Sequence, residues 1–243
     1  MESFWSRYKR NHAAVFGLFV VVLIIVMAIT ASFLYPEDPF RLVGKPLSKP
    51  LTNGFLLGSD SLGRDVASGI VHGAKTSLLI GFVATLVSVF IGIFFGAFAG
   101  YFGGLIDDIL MRVTEIFQTI PSFIFAILLV AIMKPSMSSI VIAIAVVSWP
   151  GVARLVRGEF LAVKNREFVQ ACHTLGMSDL RIMLWEILPN CLSPIIVVGS
   201  LMVATAILIE SGLAFLGLGD PNIMSWGFLI GAGRTMLRSA WWV

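Results

Sequence analysis

The sequence predicts an all-α integral membrane protein with five transmembrane helices. Hydrophobic residues make up 58% of the 243 residues and charged residues only 13%, whereas soluble domains average roughly 45–50% and about 25%. A soluble protein of this size still exposes a large surface to water, which so few polar residues could not cover. The apolar residues also fall in long runs suited to a bilayer. These observations exclude water-soluble enzymes, nucleic-acid-binding proteins and disordered chains.

Five apolar runs are predicted to cross the membrane, because a spanning helix needs about 20 such residues. No clean small-residue cleavage site accompanies the first run, so we predict an uncleaved helix rather than a signal peptide. Pro121 lies near the start of the third run, and Trp241-Trp242-Val243 looks like the interfacial start of a further helix. The runs are residues 13–35, 76–105, 116–133, 138–152 and 191–218.

The charged flank of the first helix decides the predicted orientation. Arg7, Lys9 and Arg10 immediately precede that helix, which favours a cytoplasmic N-terminus, while the Lys and Arg of the whole chain, these three included, divide almost evenly between the two sides. The polar segment 36–75 then lies outside. The charged segment 153–190, which has helical periodicity, lies in the cytoplasm and is where a soluble partner could attach.

Four glycines at four-residue spacing lie along the second run. Gly92, Gly96, Gly100 and Gly104 would stack on one helix face and let another backbone approach closely. The ladder predicts helix packing, either as a static contact or as a surface along which helices slide in a moving pore.

Glu210 is the single charge within the fifth run. A charge inside the membrane is costly and usually faces the protein interior, where it could contact substrate or relay protons. The alternative is a structural role near the outer end of the helix, since the glycine-rich residues 212–219 suggest that the helix ends there.

No nucleotide or catalytic site is evident in the sequence. Residues 69–76 superficially resemble a phosphate-binding loop, but Ala74 separates Gly73 from Lys75 and no strand precedes them. The cysteines and histidines are scattered, without the spacing of a disulfide scaffold or a zinc site. We therefore predict that this polypeptide is not an enzyme, holds no metal and binds no cofactor.

Residues 167–190, which we call the hook, carry the most informative pattern. Ala171 and Cys172 are small enough for a helix to lie close to another surface, and Gly176 permits a turn that other residues disfavour. Pro189 suits the first turn of a following helix. The pattern predicts a short helix, a glycine turn and a second helix entering the membrane; the alternative is an ordinary amphipathic connector.

The hook resembles the EAA loop of ABC-transporter permeases. The family pattern is Glu-Ala-Ala, three residues, Gly, nine residues, Ile, one residue and Leu-Pro. Three positions depart from it, namely Gln170, Cys172 and Glu186, while the Gly and Leu-Pro spacing is intact. The loop positions so assigned are Gln170, Ala171, Cys172, Gly176, Leu188 and Pro189.

Two further motifs narrow the resemblance. Residues 57–66, LGSDSLGRDV, resemble the external GTDxLGRDV segment of the dipeptide/oligopeptide/nickel permeases. Residues 210–219, ESGLAFLGLG, followed by Ser-Trp-Gly at 225–227, resemble the ESxLSFLGLG…SWG signature of that family. The single helix and external segment before Lys75 are similar to the C-type subunit. On these motifs the chain is identified as a member of this family.

The resemblance implies a type I ABC-transporter permease bundle, multi-pass in the lipid of a prokaryotic cytoplasmic membrane. The implied partners are a second homologous permease subunit, two ATP-binding cassette ATPases and an extracytoplasmic solute-binding protein. ATP and Mg²⁺ would be bound by the ATPases, one of which would receive the hook as a coupling helix. This chain would supply half of the pathway for peptides or a related small solute.

Two alternatives remain at this point. An importer of nickel chelates or another small solute would carry the same motifs. A secondary transporter or channel driven by an ion gradient would need ionisable residues in several helices and internal repeats. Only Glu210 meets the first requirement, and no repeat is visible in the sequence.

The resemblance also implies a domain division. Residues 1–74 would hold the N-terminal helix and the extracytoplasmic segment, and residues 75–243 the permease domain, with its coupling loop at about 153–190. Permeases of this family have six helices, the last just beyond the Ser-Trp-Gly motif. We therefore expect an incomplete permease that lacks the sixth helix.

Overall fold

The computed structural model describes residues 8–243, so Arg7 of the basic flank lies outside the described residues. Within this range the regular secondary structure is helical, with two isolated β-bridges and no strand. In chain order the helices are α1 (His12–Leu34), α2 (Val66–Phe102), α3 (Gly104–Gln118), α4 (Ser122–Met133), α5 (Met137–Val163), α6 (Glu167–Thr174), α7 (Asp179–Arg181), a π-helix (Ile182–Ile187), α8 (Leu188–Phe215) and α9 (Trp226–Gly233).

Four helical stretches of the described chain are long and apolar enough to cross a membrane. They are α1, α2, α5 and the continuous stretch Asp179–Phe215. Helices α3 and α4 meet the same requirement only as a pair, which is bent by 80° at a short break. The all-α membrane class is therefore confirmed, and the number of spans reaches the predicted five when this bent pair is one span.

The third predicted run, 116–133, is not one straight helix. Helix α3 ends at Gln118, and Pro121 precedes the first residue of α4 with an extended ψ of 126°. Proline lacks an N–H and disfavours helical geometry in the residue before it, so the helix breaks here. The 12 residues of α4 extend about 18 Å, short of the ~30 Å apolar core of a bilayer.

One compact unit contains α1, the polar segment and α9. Its polar segment is held by side-chain hydrogen bonds: the Ser59 hydroxyl accepts from the Ser48 N–H at 2.9 Å. The Asp60 carboxylate accepts from the N–H groups of Leu62 and Arg64, at 2.8 and 2.9 Å. The LGSDSLGRDV motif therefore forms a fixed turn. This unit comprises residues 8–79, 214–217 and 221–243 of the described chain.

Trp241 and Trp242 lie in a turn in the described chain, and the start of a further spanning helix at this point stays a prediction. Helix α9 begins within the Ser-Trp-Gly motif, at Trp226, and residues 234–243 are not helical. The indole N–H of Trp242 donates to the Ser59 carbonyl at 3.3 Å. Its ring lies so close to Gly58 that a Cβ on the glycine would stand 2.7 Å from Trp242 Cδ1. These contacts hold the Trp242 side chain against the turn that contains Gly58 and Ser59.

Replacing Arg64 with lysine should lower the free energy of unfolding by about 1 kcal/mol, because lysine cannot stack as a flat guanidinium does. The Arg64 guanidinium lies 5.0 Å from the ring centroid of Phe40 and 5.8 Å from that of Phe228. Thermal unfolding in detergent would measure the loss. Arg41→Lys is the matched control, since its ion pair with Glu37 is more than half exposed; equal losses would contradict the stacking argument.

The second compact unit contains the remaining helices packed around two apolar clusters. It comprises residues 80–213 and 218–220. One cluster joins α2 to α4, α5 and α8, and its largest buried side chains include Ile80, Val130, Ile140, Ile144 and Leu213. The other joins α5 to the hook and includes Val156, Phe160, Val169, Ile182 and Met183. The predicted domain boundary between residues 74 and 75 stays a prediction.

Candidate functional site: the hook and its supporting helices

The hook turns at Gly176 in the way that its sequence predicts. Helix α6 ends just before this glycine, which has a φ of +73°. The N–H of Gly176 bonds to the carbonyl of His173 at 3.0 Å, and that of Met177 to the carbonyl of Cys172 at 3.1 Å. These two bonds form a Schellman motif, whose left-handed residue is usually glycine. The predicted short helix and glycine turn are therefore present.

One face of the hook is packed and the other is exposed. The hook has two arms: α6 is the first, and α7 with the π-helix is the second. Val169 on the first arm and Ile182 on the second are fully buried in the apolar cluster that joins the hook to α5. Cys172 is half-buried on the same side. Ala171 is exposed, and the Leu175 side chain is 80% exposed at the tip. An exposed leucine beside small residues on a short helix is suited to a groove on another protein.

The second arm enters α8 without a break, through the π-helix. Pro189 therefore follows an already helical backbone instead of starting an isolated helix. A π-helix shifts its hydrogen bonds from the fourth to the fifth residue, which accommodates a proline that cannot donate. The Asn190 side chain donates to the Glu186 carbonyl at 2.6 Å, which satisfies another group beside the proline. Leu188 packs on the apolar cluster, while Gln170 is exposed.

Three of the four ladder glycines pack on α5. A Cβ would lie 2.6 Å from Val152 Cγ1 if added to Gly92, 2.7 Å from Val156 Cβ if added to Gly96, and 2.6 Å from Phe160 Cβ if added to Gly100. These distances are shorter than the van der Waals contact between two non-bonded carbon atoms. The close approach of the two helices therefore requires glycine at each position.

Gly104 is not part of this packing. It is the first residue of α3 and has a φ of +51°, beside Gly103 with a φ of +68°. These two left-handed residues end the α2 helix, so the four-residue periodicity no longer places Gly104 on the same face. No described atom lies within 4 Å of a Cβ built on it. The expectation that Gly104 extends the ladder is therefore wrong, and this glycine forms the turn into α3.

An ion pair that the sequence did not predict joins α3 to α5. The Arg157 guanidinium donates to both carboxylate oxygens of Asp107, at 2.5 and 2.6 Å. The Asp107 side chain is only 13% exposed. Two-pronged pairing of this kind fixes orientation as well as distance. The available signal was an acid and a base at the ends of apolar runs, but their separation along the chain gave no indication that they meet.

Replacing Asp107 with asparagine should destabilise the protein by about 1–2 kcal/mol, because it leaves a partly buried guanidinium with a weaker partner. The measurement is the midpoint of thermal unfolding in detergent. Glu115→Gln serves as the control, since its 3.6 Å pair with Arg112 is largely exposed and should contribute less than 1 kcal/mol. A larger loss for the control would contradict this assignment.

Glu210 is buried, with 1% of its surface exposed, and lies in the second-last turn of α8. Its place near the helix end fits the structural interpretation, while a contact with substrate stays a prediction. Residues 69–76 are part of α2 and form no loop. Among the described residues, no group of three His, Cys, Asp or Glu side chains could hold a metal ion.

Comparisons with known proteins agree with this arrangement. The family model described as "Binding-protein-dependent transport system inner membrane component" matches residues 92–239. A second, described as the "N-terminal TM domain of oligopeptide transport permease C", matches residues 1–49.

Relatives match along nearly the whole chain. The dipeptide transport system permease protein DppC of Escherichia coli K12 is 41% identical over 100% of this chain and 83% of its own length. The protein of that name from Bacillus subtilis 168 is 40% identical over 98% and 75%. The oligopeptide transport system permease protein OppC of Escherichia coli K12 is 39% identical over 100% and 82%.

The fold is similar to that of a chain from a solved ABC transporter. A chain from inward-facing structures of the MetNI methionine ABC transporter aligns with a TM-score of 0.59 at 16% identity, covering 70% of this chain and 82% of that one. Its identity is too low to indicate more than a common fold. The chain is thus a multi-pass inner-membrane subunit rather than an enzyme, and it belongs to the binding-protein-dependent ABC-transporter permeases, as a C-type member of the dipeptide/oligopeptide family.

Proposed function

We propose that this chain forms half of the membrane pathway of an importer for dipeptides or short oligopeptides. The other half is a second, homologous permease subunit, and an extracytoplasmic binding protein delivers the solute. The names of the relatives, DppC and OppC, support the substrate class. The match of residues 92–239 to the permease model supports a permease domain within 75–243.

The hook is the coupling element in this proposal, and its geometry is the observation that carries it. It exposes a short helix with Ala171 and Leu175 on one face, while Val169 and Ile182 anchor the other face to α5. An ATPase subunit that grips the exposed face can therefore move α5 and α8 together. Rigid displacement of packed helices is a common way to switch a membrane pathway between two states.

The proposal places the hook in the cytoplasm, where ATP is available to the ATPase subunits. This placement requires a cytoplasmic N-terminus. Lys9 and Arg10 precede α1, which supports the same orientation. The polar segment of the first unit then faces the binding protein. Cysteine labelling from each side of sealed vesicles would test the orientation: a cysteine at the exposed Leu175 should react from the cytoplasmic side only.

The function is tested with the full complex in proteoliposomes. ATPase subunits should co-purify with the permease, and a labelled dipeptide with its binding protein should be taken up only when ATP is present. Competition by an unlabelled tripeptide but not by a nickel chelate would support the peptide substrate. Uptake driven by an ion gradient without ATP would contradict the proposal and favour a secondary transporter.

A further inference from the structure

The phenol of Tyr101 touches both arms of the hook. Tyr101 lies at the end of α2, and its hydroxyl donates to Asp179 Oδ1 at 2.7 Å. Asp179 begins the second arm, after the glycine turn. On the first arm, His173 Nε2 lies 3.5 Å from the same hydroxyl, and the two rings stack with centroids 6.3 Å apart. One side chain therefore bridges both arms to a transmembrane helix that is remote in sequence.

The end of α2 that carries this phenol is held firmly on α5. Gly100, the preceding residue, packs so closely on Phe160 that no side chain would fit between the helices. Lys164, which follows the last residue of α5, donates to the backbone carbonyl of Tyr101 at 3.4 Å. Movement of Tyr101 is thus movement of the joined α2 and α5 helices.

The hydrogen bond of the Tyr101 phenol fixes the orientation of the hook, which apolar packing alone does not fix. Val169 and Ile182 hold the hook by burial, which is non-directional and tolerates rocking of a short helix. A hydrogen bond to a carboxylate depends on distance and angle and is stronger than a neutral one. The hydroxyl has one proton, which it donates to Asp179, so His173 can bond to the phenol oxygen only in the tautomer that carries a proton on Nε2.

We propose that Tyr101 is a positioning residue that locks the hook to α2, so that α2 and α5 move together with the hook whenever the hook is displaced. This inference rests on the proposed docking of an ATPase at the hook. The bond lies at the protein surface, so its removal should loosen coupling while leaving the fold and the assembled complex intact.

The test compares variants of the full complex in proteoliposomes by the number of labelled dipeptides transported per ATP hydrolysed. Tyr101→Phe keeps the ring but removes the hydroxyl, and should lower this ratio about two- to fivefold. Asp179→Ala removes the same bond to the carboxylate but leaves the longer contact with His173, so it should lower the ratio nearly as much. The double variant should lower it no further than Tyr101→Phe alone, because the bond to Asp179 is already lost in that variant. Asp179→Asn keeps an acceptor oxygen and should retain most of the ratio.

Thr30→Val is the matched control, because among the described residues the Thr30 hydroxyl bonds to the Val26 and Met27 carbonyls of α1, which is not part of the hook. Its ratio should equal that of the unmodified complex. A purely structural role for Tyr101 would lower the yield of complex rather than the ratio, and that result would overturn the inference.

Gly176→Val separates this inference from the docking proposal. If Gly176→Val uncouples the complex while Tyr101→Phe behaves like the control, the locking role is wrong and docking stands. If neither variant alters coupling, the docking proposal fails, and the locking role fails with it.

Discussion

Replacing Gly176 with valine should reduce substrate-stimulated ATP hydrolysis by about tenfold or more. Gly176 has a φ of +73°, where a β-branched side chain clashes with its own backbone. A Cβ there would meet no other described atom within 4 Å, so the effect arises from the backbone alone. The two hydrogen bonds of the Schellman motif would break. The angle between the two arms of the hook would then change, and the hook would no longer fit the ATPase subunit.

Asparagine at 176 is the matched control, because it tolerates the left-handed conformation better than other side chains. Gly176→Asn should retain most of the stimulated hydrolysis. Both variants should be compared at equal amounts of assembled complex, measured by co-purification of the ATPase subunits. A valine variant that hydrolyses ATP like the unmodified complex would contradict the role of the hook in coupling.

Local signals explain which parts of the fold the sequence predicts. The long apolar runs of α1 and α2 predict spanning helices because hydrocarbon tolerates few charges over that length. The turn at Gly176 is equally local, since the left-handed conformation depends on one residue and its neighbours. The course of the third run depended on the 80° bend beside Pro121, and a proline predicts a break without its angle.

Contacts between distant residues explain what the sequence could not predict. Asp107 and Arg157 are ordinary charges until the packing of α3 on α5 brings them together. Spacing alone placed Gly104 on the ladder, whereas the left-handed backbone at Gly103 ends the helix first. The hydrogen bond from Trp242 to the carbonyl of the distant Ser59 likewise had no signal in the sequence. Each of these features depends on tertiary structure.

Replacing Gly96 with leucine should prevent stable packing of α2 on α5. A Cβ at this position would lie 2.7 Å from Val156 Cβ, and leucine adds three further carbon atoms. The helices would have to separate along a contact that buries Val152 and Phe160. Overpacking of this kind costs about 1–3 kcal/mol or more, so we expect a lower unfolding temperature and a poor yield of folded protein.

The control for this change lies on the other helix. Gly158 is exposed on α5, and no described atom lies within 4 Å of a Cβ built there, so Gly158→Leu should leave the unfolding temperature nearly unchanged.

Gly92→Ala and Gly100→Ala, with one carbon added, distinguish the two roles of the ladder. If the contact is static packing, transport per folded complex should stay constant as stability falls. If α2 and α5 slide during transport, transport per folded complex should fall as well, because the added methyl groups obstruct the movement. Unchanged stability in Gly96→Leu would contradict both roles, since a contact this close cannot admit a leucine without displacement.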